Sequence, residues 1–585
     1  MENALFSFEP VSYGGAQGIY EYQHQCYGKE IGLKKRKQTH VYGEEELGGF
    51  NHLGSKYGLH QETIPQKEVL LSKYQPQYTS SDFEMLDDFQ LNMVSPPVQS
   101  LLHSADFDYV LSEFSDLILP QKEMVNVPTT MASLEILTNY PGGKKWMNGE
   151  KINVEQTCTK VEACKRLSTE EVMRVAGARY IEFSSQKYDQ YPFAGALSGL
   201  AEEETKDVEL AHLLFASAEK VGNQQFDRAS RLLIQCDYLS SRTGNPVQRV
   251  VYYFAEALRG RINSETGSRT SKWFEEEEKQ LSDIEEMMLT PNPAIIACYQ
   301  TLPFSQIMMF GGVQSIVENV ASAKKVHLID LGIKTGMAWI ILMQALSTRQ
   351  GCPVELFRVT AVGTSSRKQL EETGKRCTSF AESMNISFSF NVVIVPDMKD
   401  LREDMFELGE GEVVAIYAPF ILRTMVSEPG SLESLMRVIR NLKPCVMVLM
   451  EIEANHNSPA FVSRFIEALF YFSAFFDCLE ACMDRDSQDR MVTERNYFGC
   501  AIQNIVANEG EKRKIRHVGI EVWRAFFARF GMVELELSHS SMYQSNLVLK
   551  QFACGSSCTL DMIRKSLIVG WKGTPIHSLS SWKFQ

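Results

Sequence analysis

The chain of 585 residues has no apolar run close to the length that crosses a lipid bilayer. A membrane-spanning helix needs about 20 consecutive apolar residues, so we expect no membrane segment. The first residues also lack the charged stretch followed by an apolar stretch that marks a secretory signal. The 13 cysteines are scattered and often lie inside apolar runs, which is typical of reduced thiols in the cytosol or nucleus.

Basic residues are in the minority, with 59 Lys and Arg against 73 Asp and Glu and a net charge of −14. A broad nucleic-acid surface requires clustered positive charge, so the composition argues against one and leaves room only for local basic groups. The sequence also lacks a Ser-His-Asp set, paired catalytic carboxylates and a Walker loop. Cys554 and Cys558 have no His partner at metal spacing, so we expect no metal site there.

The stretch 326–339 predicts the first unit of a parallel sheet. Six mostly apolar residues precede Gly332 and Gly336, and an apolar pattern of helical period follows. This order indicates a strand, a tight turn and a helix. A second strand is predicted over 354–362, because parallel strands require such a helix as their crossover.

Strands and helices continue to alternate further along the chain. We predict strands over 388–395, 412–418 and 445–451 and helices over 367–384, 431–441 and 461–476. This alternation predicts a doubly wound, Rossmann-like α/β sheet with helices on both faces. Strand-like segments without full helices between them predict antiparallel strands at one edge, over 532–537, 545–549 and 566–571.

The residues before the sheet predict an arm and a helical cap. Residues 1–130 are polar with weak periodicity, which is typical of disorder, and a helix-start pattern at Ser168 predicts a short helix over 168–186. Helices with an apolar stripe are predicted over 207–260, the third of them opened by Asn245 as N-cap and by Pro246. The stripe suits packing inside one domain, and dimerisation is the alternative.

Two features of the arm carry functional hypotheses. The basic tetrad predicts nuclear import, the alternative being a solvated charge run; its residues are Lys34, Lys35, Arg36 and Lys37. The segments 82–89 and 106–111 alternate acids with large apolar residues. That composition suits an activation segment that folds on a partner, and an ordinary linker is the alternative.

The glycine loop after Asp330 keeps an enzyme hypothesis open. A strand followed by glycines is similar to the cofactor loop of Rossmann-like, S-adenosylmethionine-dependent methyltransferases. However, Lys334 stands where a central glycine would let the backbone approach the cofactor. The second strand ends in Val362, Gly363 and Thr364, without the acid that accepts ribose hydroxyls. We therefore expect no cofactor and no catalysis, with a methyltransferase as the alternative.

Several blocks of the chain, in order, resemble the GRAS family of plant transcriptional regulators. The strand at 326 is similar to the signature motif of that family, through Val326, His327, Leu328, Ile329 and Asp330. Segments at 370–381 and 451–469 are similar to later blocks. The C-terminal tryptophan block is represented by Trp523, Trp571 and Trp582.

The resemblance implies an arm over 1–200, largely disordered and regulatory, and a GRAS-like domain over 201–584. The implied regions are the first leucine-rich region (207–260), the VHIID-like region (291–362), the second leucine-rich region (367–400), the PFYRE-like region (411–507) and the SAW-like region (510–584). The arm lacks the Asp-Glu-Leu-Leu-Ala signature of the DELLA branch. We therefore do not expect hormone-receptor docking of that type.

The function implied by the resemblance is that of a nuclear transcriptional regulator without enzyme activity. Such proteins act as scaffolds or co-regulators of transcription factors, including zinc-finger proteins, and pair with other family members as homo- or heterodimers. Their association with DNA is weak or indirect. Docking is expected around 411–584, and the cap is available for pairing.

Direct, sequence-specific DNA binding is a second alternative. Its candidate phosphate contacts belong to the one dense basic run outside the arm, Lys512, Arg513, Lys514 and Arg516. A solvated helix face is the simpler interpretation of this run. For the other motif residues we expect structural roles: His327 as a core histidine, Asp330 as a cap of the following turn, and the tryptophans as packing residues.

Replacing the four residues of the tetrad Lys34–Lys37 by Ala is expected to reduce nuclear accumulation, because import receptors recognise clustered positive charge. The measurement is imaging of a fluorescent fusion of the full chain in plant cells. Unchanged nuclear accumulation would remove this tetrad from the account of import.

Overall fold

The computed structural model describes residues 166–184, 200–267, 293–364 and 366–585. The basic tetrad Lys34–Lys37, the acidic segments at 82–89 and 106–111, and the polar stretch 268–292 lie outside the described residues. Among the helices in the described part, none combines the length and apolar character that a membrane crossing requires.

The helices run from the cap through the sheet to the C-terminal region. In chain order they are α1 (Thr169–Ser184), α2 (Glu202–Gly222), α3 (Phe226–Leu239), α4 (Pro246–Glu265), α5 (Pro293–Thr301), α6 (Pro303–Asn319), α7 (Met337–Ser347), α8 (Arg367–Ser383), α9 (Pro429–Leu442), α10 (Phe461–Cys482), α11 (Gln488–Thr493), α12 (Cys500–Val506), α13 (Ile520–Arg529) and α14 (His539–Leu549). A π-helical turn, Glu494–Gly499, joins α11 to α12.

The strands form one mixed sheet. They are β1 (Lys325–Asp330), β2 (Leu356–Gly363), β3 (Phe388–Ile394), β4 (Glu412–Pro419), β5 (Val446–Ile452), β6 (Met532–Leu535), β7 (Cys558–Ile563), β8 (Ser566–Trp571) and β9 (Thr574–Phe584). The order across the described sheet is β3-β2-β1-β4-β5-β9-β8-β7, and β6 also pairs with β9. Strands β1 to β5 are parallel to one another, and the pairs made by β9, β8 and β7 are antiparallel.

The predicted doubly wound α/β sheet is confirmed. The chain leaves β1 in one direction through β2 and β3 and returns to pair β4 on the other side of β1. This reversal between β1 and β4 is the topological switch point of a Rossmann-like sheet, beside which ligands bind in α/β proteins. It places the loop after β1 at the position that matters most for the enzyme hypothesis.

Helices cover both faces of the sheet. On one face Ile416, Met447 and Trp582 form a continuous buried cluster with side chains of α9 and α13. On the other face α6 lies very close to the strands, since a Cβ on Gly312 would be 3.1 Å from Val448 Cγ1. Neighbouring residues of a strand point to opposite faces, so the central strands β1, β4 and β5, which are buried on both faces, are nearly continuous apolar runs.

The cap helices are fixed by the residues that open them. Asn245 accepts a hydrogen bond from Gln248 N (2.9 Å), and Gln248 Oε1 accepts one from Asn245 N (3.0 Å), which completes a capping box. Asn245 Nδ2 also donates to Asp207 Oδ1 of α2 at 2.9 Å. The predicted start of α4 is therefore confirmed, and the same side chain joins two cap helices.

The predicted short helix before the body is confirmed as α1. Thr169 N donates to Asp477 Oδ1 of α10 (3.3 Å), and Thr574 Oγ1 of β9 donates to Glu170 Oε2 (2.7 Å). Val172 and Met173 are buried. Helix α1 is therefore packed against the α/β body.

The strand predicted over 545–549 is wrong, because these residues form the end of helix α14. Ser538 caps this helix by accepting a hydrogen bond from Ser541 N at 3.0 Å. Ser545 Oγ then donates to Ile307 O of α6 at 3.2 Å. The cap and the contact with α6 outweigh the strand preference of this short apolar run.

Candidate functional site

Asp330 organises the loop that follows β1. Its carboxylate accepts hydrogen bonds from Gly332 N and from Trp339 Nε1, each at 3.0 Å. Burial raises the pKa of Asp330 to about 7, although these two bonds and the charge of Lys334 act in the opposite direction. The carboxylate thus connects the strand end to the first turn of α7.

The loop after β1 is packed against its own chain. Leu331 and Ile333 are buried, and Leu331 N donates to Tyr417 O of β4 at 2.9 Å. Gly336 has a φ of 76°, and a Cβ there would lie 2.8 Å from Cys377 Sγ of α8. The glycine is therefore required for the turn and for close approach of α8.

His327 lies in the interior of the sheet and connects three strands. Its Nδ1 lies 3.1 Å from Glu412 Oε2 of β4, and its Nε2 lies 2.8 Å from Thr360 Oγ1 of β2. Burial lowers the pKa of His327, and the carboxylate of Glu412 opposes that shift. The signature histidine is a hydrogen-bonded core residue in this structure.

The expectation that Lys512, Arg513, Lys514 and Arg516 form a solvated basic helix face is wrong. The segment has only a short 3₁₀ turn, Gly510–Lys512, and then continues without helix. Arg513 and Arg516 are buried, and both donate to Asn457 Oδ1, at 3.3 and 3.1 Å. Only the two lysines of the four are exposed, so the run offers half the charge that its sequence suggested.

Two buried histidines hold the same segment against the end of β5. His456 Nδ1 and His517 Nδ1 are 2.9 Å apart, and His456 N donates to His517 O at 3.1 Å. Burial lowers the pKa of both rings, so one neutral ring donates and the other accepts. The basic run is therefore part of the polar interior of the body.

Buried arginines connect the cap to the body. Arg464 of α10 is fully buried and donates to Ile505 O (2.9 Å), to Ser458 O (2.8 Å) and to the carboxylate of Glu509. Arg261 of α4 binds the same carboxylate at 2.5 Å. Burial raises the pKa of Glu509, but the two arginines outweigh it and the net shift is downward. Glu509 thus stays charged between two cations.

A second buried ion-pair group joins the cap to the helices after α10. Arg249 of α4 lies 3.1 Å from Glu494 Oε1 and 2.7 Å from Glu480 Oε2, and Arg490 also pairs with Glu494, at 2.6 Å. Arg249, Arg490 and Glu494 are fully buried. Sequence analysis missed these residues. The available signal was an arginine inside an apolar helical stripe, as in the Val247–Val251 segment of α4.

The tryptophans of the C-terminal block are core residues. Trp571 Nε1 donates to Asp477 Oδ2 of α10 at 2.7 Å, and Trp582 Nε1 donates to Ser580 Oγ at 2.8 Å. Trp523 lies in the same buried cluster as Trp582. The block therefore stabilises the sheet from inside and presents none of its indole rings to solvent.

Among the described residues, exposed large apolar side chains stand singly at Leu408 and Tyr543 and lie close together in sequence on α3 and on β7. On α3, Ile234 is 66% exposed, Tyr238 79% and Leu239 43%. The spacing of four residues places Ile234 and Tyr238 on one side of the helix, and Leu239 is its last residue. At the end of edge strand β7, Met562 and Ile563 are each 40% exposed. Grouped apolar exposure of this kind marks contact surfaces for other macromolecules.

The fold is that of a Rossmann-like α/β protein with a helical cap. Residues 210–583 match the model of the GRAS domain family. This span is more than half of the chain, so the protein belongs to the GRAS domain family, a family of plant transcriptional regulators. The resemblance found in the sequence is confirmed.

Individual relatives agree with this assignment. The chain is 32% identical over 389 residues to the DELLA protein GAI1 of Vitis vinifera, covering 66% of this chain and 63% of that protein. It is 34% identical to the DELLA protein RGL3 of Arabidopsis thaliana, covering 65% and 70%. The chain thus spans less than two thirds of the length of the first of these relatives. The crystal structure of SCL7 in Oryza sativa matches with a TM-score of 0.56 and 25% identity, over 64% of this chain and 99% of that one.

Because Arg513 and Arg516 point inward, substitutions at these two positions should lower the free energy of unfolding more than substitutions at Lys512 and Lys514. Arg513→Ala or Arg516→Ala should lower the free energy of unfolding by about 2–3 kcal/mol, since each removes charged hydrogen bonds in the interior. Lys512→Ala and Lys514→Ala should change it by about 0.5 kcal/mol or less. Denaturant titration of the four variants compares them directly. Equal, small effects for all four would show that the arginines are not buried in solution.

Proposed function

We propose that this protein is a nuclear transcriptional co-regulator that serves as a scaffold. It docks on DNA-bound transcription factors, among them zinc-finger proteins, and pairs with another GRAS protein. The observation that carries the proposal is the presence of two separate exposed apolar surfaces, on α3 and on β7, in a chain of net charge −14. Two contact surfaces are what a scaffold between two proteins requires.

The docking surface for the transcription factor is the β7 side of the region 411–584. Strand β7 ends the order of strands in the described sheet, so one backbone edge of it has no neighbouring strand in the described residues. Unpaired backbone groups at an edge can accept an added strand from a partner. The exposed side chains of Met562 and Ile563 add apolar contact on the two faces of the strand beside this edge.

The pairing surface is α3, with Ile234, Tyr238 and Leu239 at its centre. Large exposed aromatic and aliphatic side chains are typical anchors of protein interfaces. Helix α3 belongs to the cap, which lies apart in sequence from β7. One molecule can therefore hold a transcription factor at one surface and a second GRAS protein at the other.

Indirect association with DNA follows from the charge distribution. Specific binding needs phosphate contacts together with side chains that reach base edges. The dense basic run contributes only Lys512 and Lys514 to the surface, because Arg513 and Arg516 are directed inward. Two exposed lysines support weak, salt-sensitive attachment at most.

A non-enzymatic role is supported by the packing of the loop after β1. Leu331 and Ile333 are buried and α8 approaches closely at Gly336, so the backbone of this loop is packed against the protein's own side chains. The carboxylate of Asp330 holds the strand, the turn and the helix together through its hydrogen bonds to Gly332 and Trp339.

On a promoter fragment at about 150 mM salt, the full chain is expected to give a supershift only when a DNA-bound zinc-finger partner is present. Met562→Ser/Ile563→Ser should weaken that supershift about tenfold or more, because it removes the apolar contact at the β7 edge. Asp561→Ser on the same strand is the matched control and should leave it unchanged. The measurement is a mobility-shift titration with each variant.

Tight, sequence-selective binding by the chain alone would contradict the proposal. If that binding disappeared in a Lys512→Ala/Lys514→Ala variant, the protein would be a direct DNA reader. A supershift that survives Met562→Ser/Ile563→Ser without change would place the docking surface elsewhere.

Pairing through α3 predicts that Ile234→Ser/Tyr238→Ser weakens association between two GRAS chains by about tenfold, equivalent to about 1.4 kcal/mol. Both side chains are exposed in the single chain, so the folded state should be unaffected. Gln235→Ala, exposed on the same helix, is the control. Sedimentation equilibrium of the full chains gives the dissociation constants. Equal constants for all three proteins would exclude α3 as the interface.

A further inference from the structure

Four buried arginine side chains lie close together where the cap meets the body. They are Arg261 of α4, Arg464 of α10, Arg513 and Arg516, and we name them the arginine group. All four donate to oxygen atoms of two short segments, 456–458 and 509–510. Because these segments are only two or three residues long, the four positive charges are held near one another.

Two carboxylates offset part of the charge of the arginine group. Glu509 pairs with both Arg261 and Arg464. Glu265 lies one turn after Arg261 on α4 and pairs with it at 2.7 Å. These two acids neutralise two of the four cations, and the charges of Arg513 and Arg516 are left over.

Among the described residues, Arg513 and Arg516 donate only to neutral oxygen atoms. Arg513 bonds to His456 O at 3.4 Å and to Asn457 Oδ1 at 3.3 Å. Arg516 bonds to the same amide oxygen at 3.1 Å and to Gly510 O at 2.8 Å. A charge in the interior is costly unless an opposite charge accompanies it. The two arginines therefore have room for a negative partner that the protein itself does not supply in the described part of the chain.

The unused donors of the arginine group indicate what kind of partner fits. The Nε atoms of Arg261, Arg513 and Arg516 are buried and have no hydrogen-bond partner among the described residues. Buried donors in native proteins are nearly always paired. The Nε of a guanidinium group and one of its Nη atoms form a fork that binds two oxygen atoms of one phosphate or carboxylate. The fitting partner is thus an anion with several oxygen atoms.

Repulsion within the arginine group acts most clearly on Arg513. Burial and the charges of Arg464 and Arg516 lower the pKa of Arg513 to about 9, although Glu509 acts in the opposite direction. Arg513 is still charged at neutral pH, so the repulsion persists there. A bound anion offsets it, and the folded chain should therefore gain stability from such an anion.

The arginine group lies next to the surface of the molecule. Glu509 and Gly510 are exposed, and both bond directly to members of the group. A small anion that approaches from solvent therefore meets the group behind one exposed turn. The backbone of a DNA duplex is too bulky to follow, and it is confined to exposed side chains such as Lys512 and Lys514.

We propose that the arginine group is a binding site for a phosphate group, either free inorganic phosphate or the phosphate of a small phosphate ester. The phosphate of a monoester carries a charge of about −1.5 to −2 at neutral pH and three acceptor oxygen atoms. This charge matches the two cations left over at Arg513 and Arg516, and the oxygen atoms match the unpaired Nε donors. The group joins α4 of the cap to α10, so bound phosphate fastens the cap to the body.

The test titrates the full chain with inorganic phosphate and with glycerol 3-phosphate by isothermal calorimetry, at an ionic strength kept constant with chloride. One phosphate should bind per chain, with a dissociation constant below about 1 mM. Each probe should also raise the midpoint of thermal unfolding by about 2 °C or more over chloride alone. Tighter binding of inorganic phosphate would identify the free ion as the ligand, and tighter binding of glycerol 3-phosphate a phosphorylated small molecule.

Arg516→Lys keeps the positive charge and removes the fork, so it should weaken binding of both probes about tenfold or more. Lys512→Ala/Lys514→Ala is the matched control, because these exposed lysines lie in the same run but outside the arginine group, and it should change the dissociation constants by less than about twofold. Circular dichroism confirms that each variant is folded.

Three results would overturn the proposal. The first is that neither probe binds or raises the unfolding midpoint of the natural chain beyond the effect of chloride, a measurement that does not depend on any variant. The second is that binding is lost in Lys512→Ala/Lys514→Ala and kept in Arg516→Lys, which would place it on the surface. The third is displacement of bound phosphate by a DNA duplex, which would make the arginines a nucleic-acid contact.

Discussion

The buried arginine side chains constrain how the rest of the body packs, because each of them needs partners for its charge. Arg249, Arg464, Arg490 and Arg513 are among the largest fully buried side chains of the described residues. An ionised side chain in the interior is tolerated only when its charge and its donors find partners. Those partners come from separate elements, such as Glu509 for Arg464 and Glu494 for Arg249. Arg249 and Arg261 of α4 thus hold the cap against the segment that runs from α10 to Glu509, since separating them would leave buried charges unpaired.

The central parallel strands could be predicted because burial on both faces gives each of them a nearly continuous apolar run. Strands β1, β4 and β5 have that pattern, and the predicted boundaries agree with the structure to within one or two residues. Strand β9 was not predicted, because its buried residues include Ser578, Ser580 and Ser581, distributed over both faces. On the face covered by α6, Ser315 Oγ lies 2.8 Å from Ser581 Oγ. No period of apolar residues signals such a strand, and β7 was missed for the same lack of pattern.

The candidate site was predictable only where secondary structure fixes the direction of a side chain. The position of His327 inside an apolar strand predicts that it is buried. The position of Asp330 at the end of the same strand predicts that its carboxylate contacts the following turn. Arg513 and Arg516 lie in a segment without regular structure, so no period indicates which of them points inward.

The position of β9 has a consequence for how the chain is made. This strand is the last in sequence, yet it lies between β5 on one side and β8 and β6 on the other. During synthesis, β1 to β5 leave the ribosome before β9. The edge of β5 that later pairs with β9 is therefore unpaired until residues 574–584 have emerged. Until then the edge of β5 can pair with other nascent or unfolded segments. The sheet can therefore close only once β9 has been made, although this strand lies inside the described strand order and not at its edge.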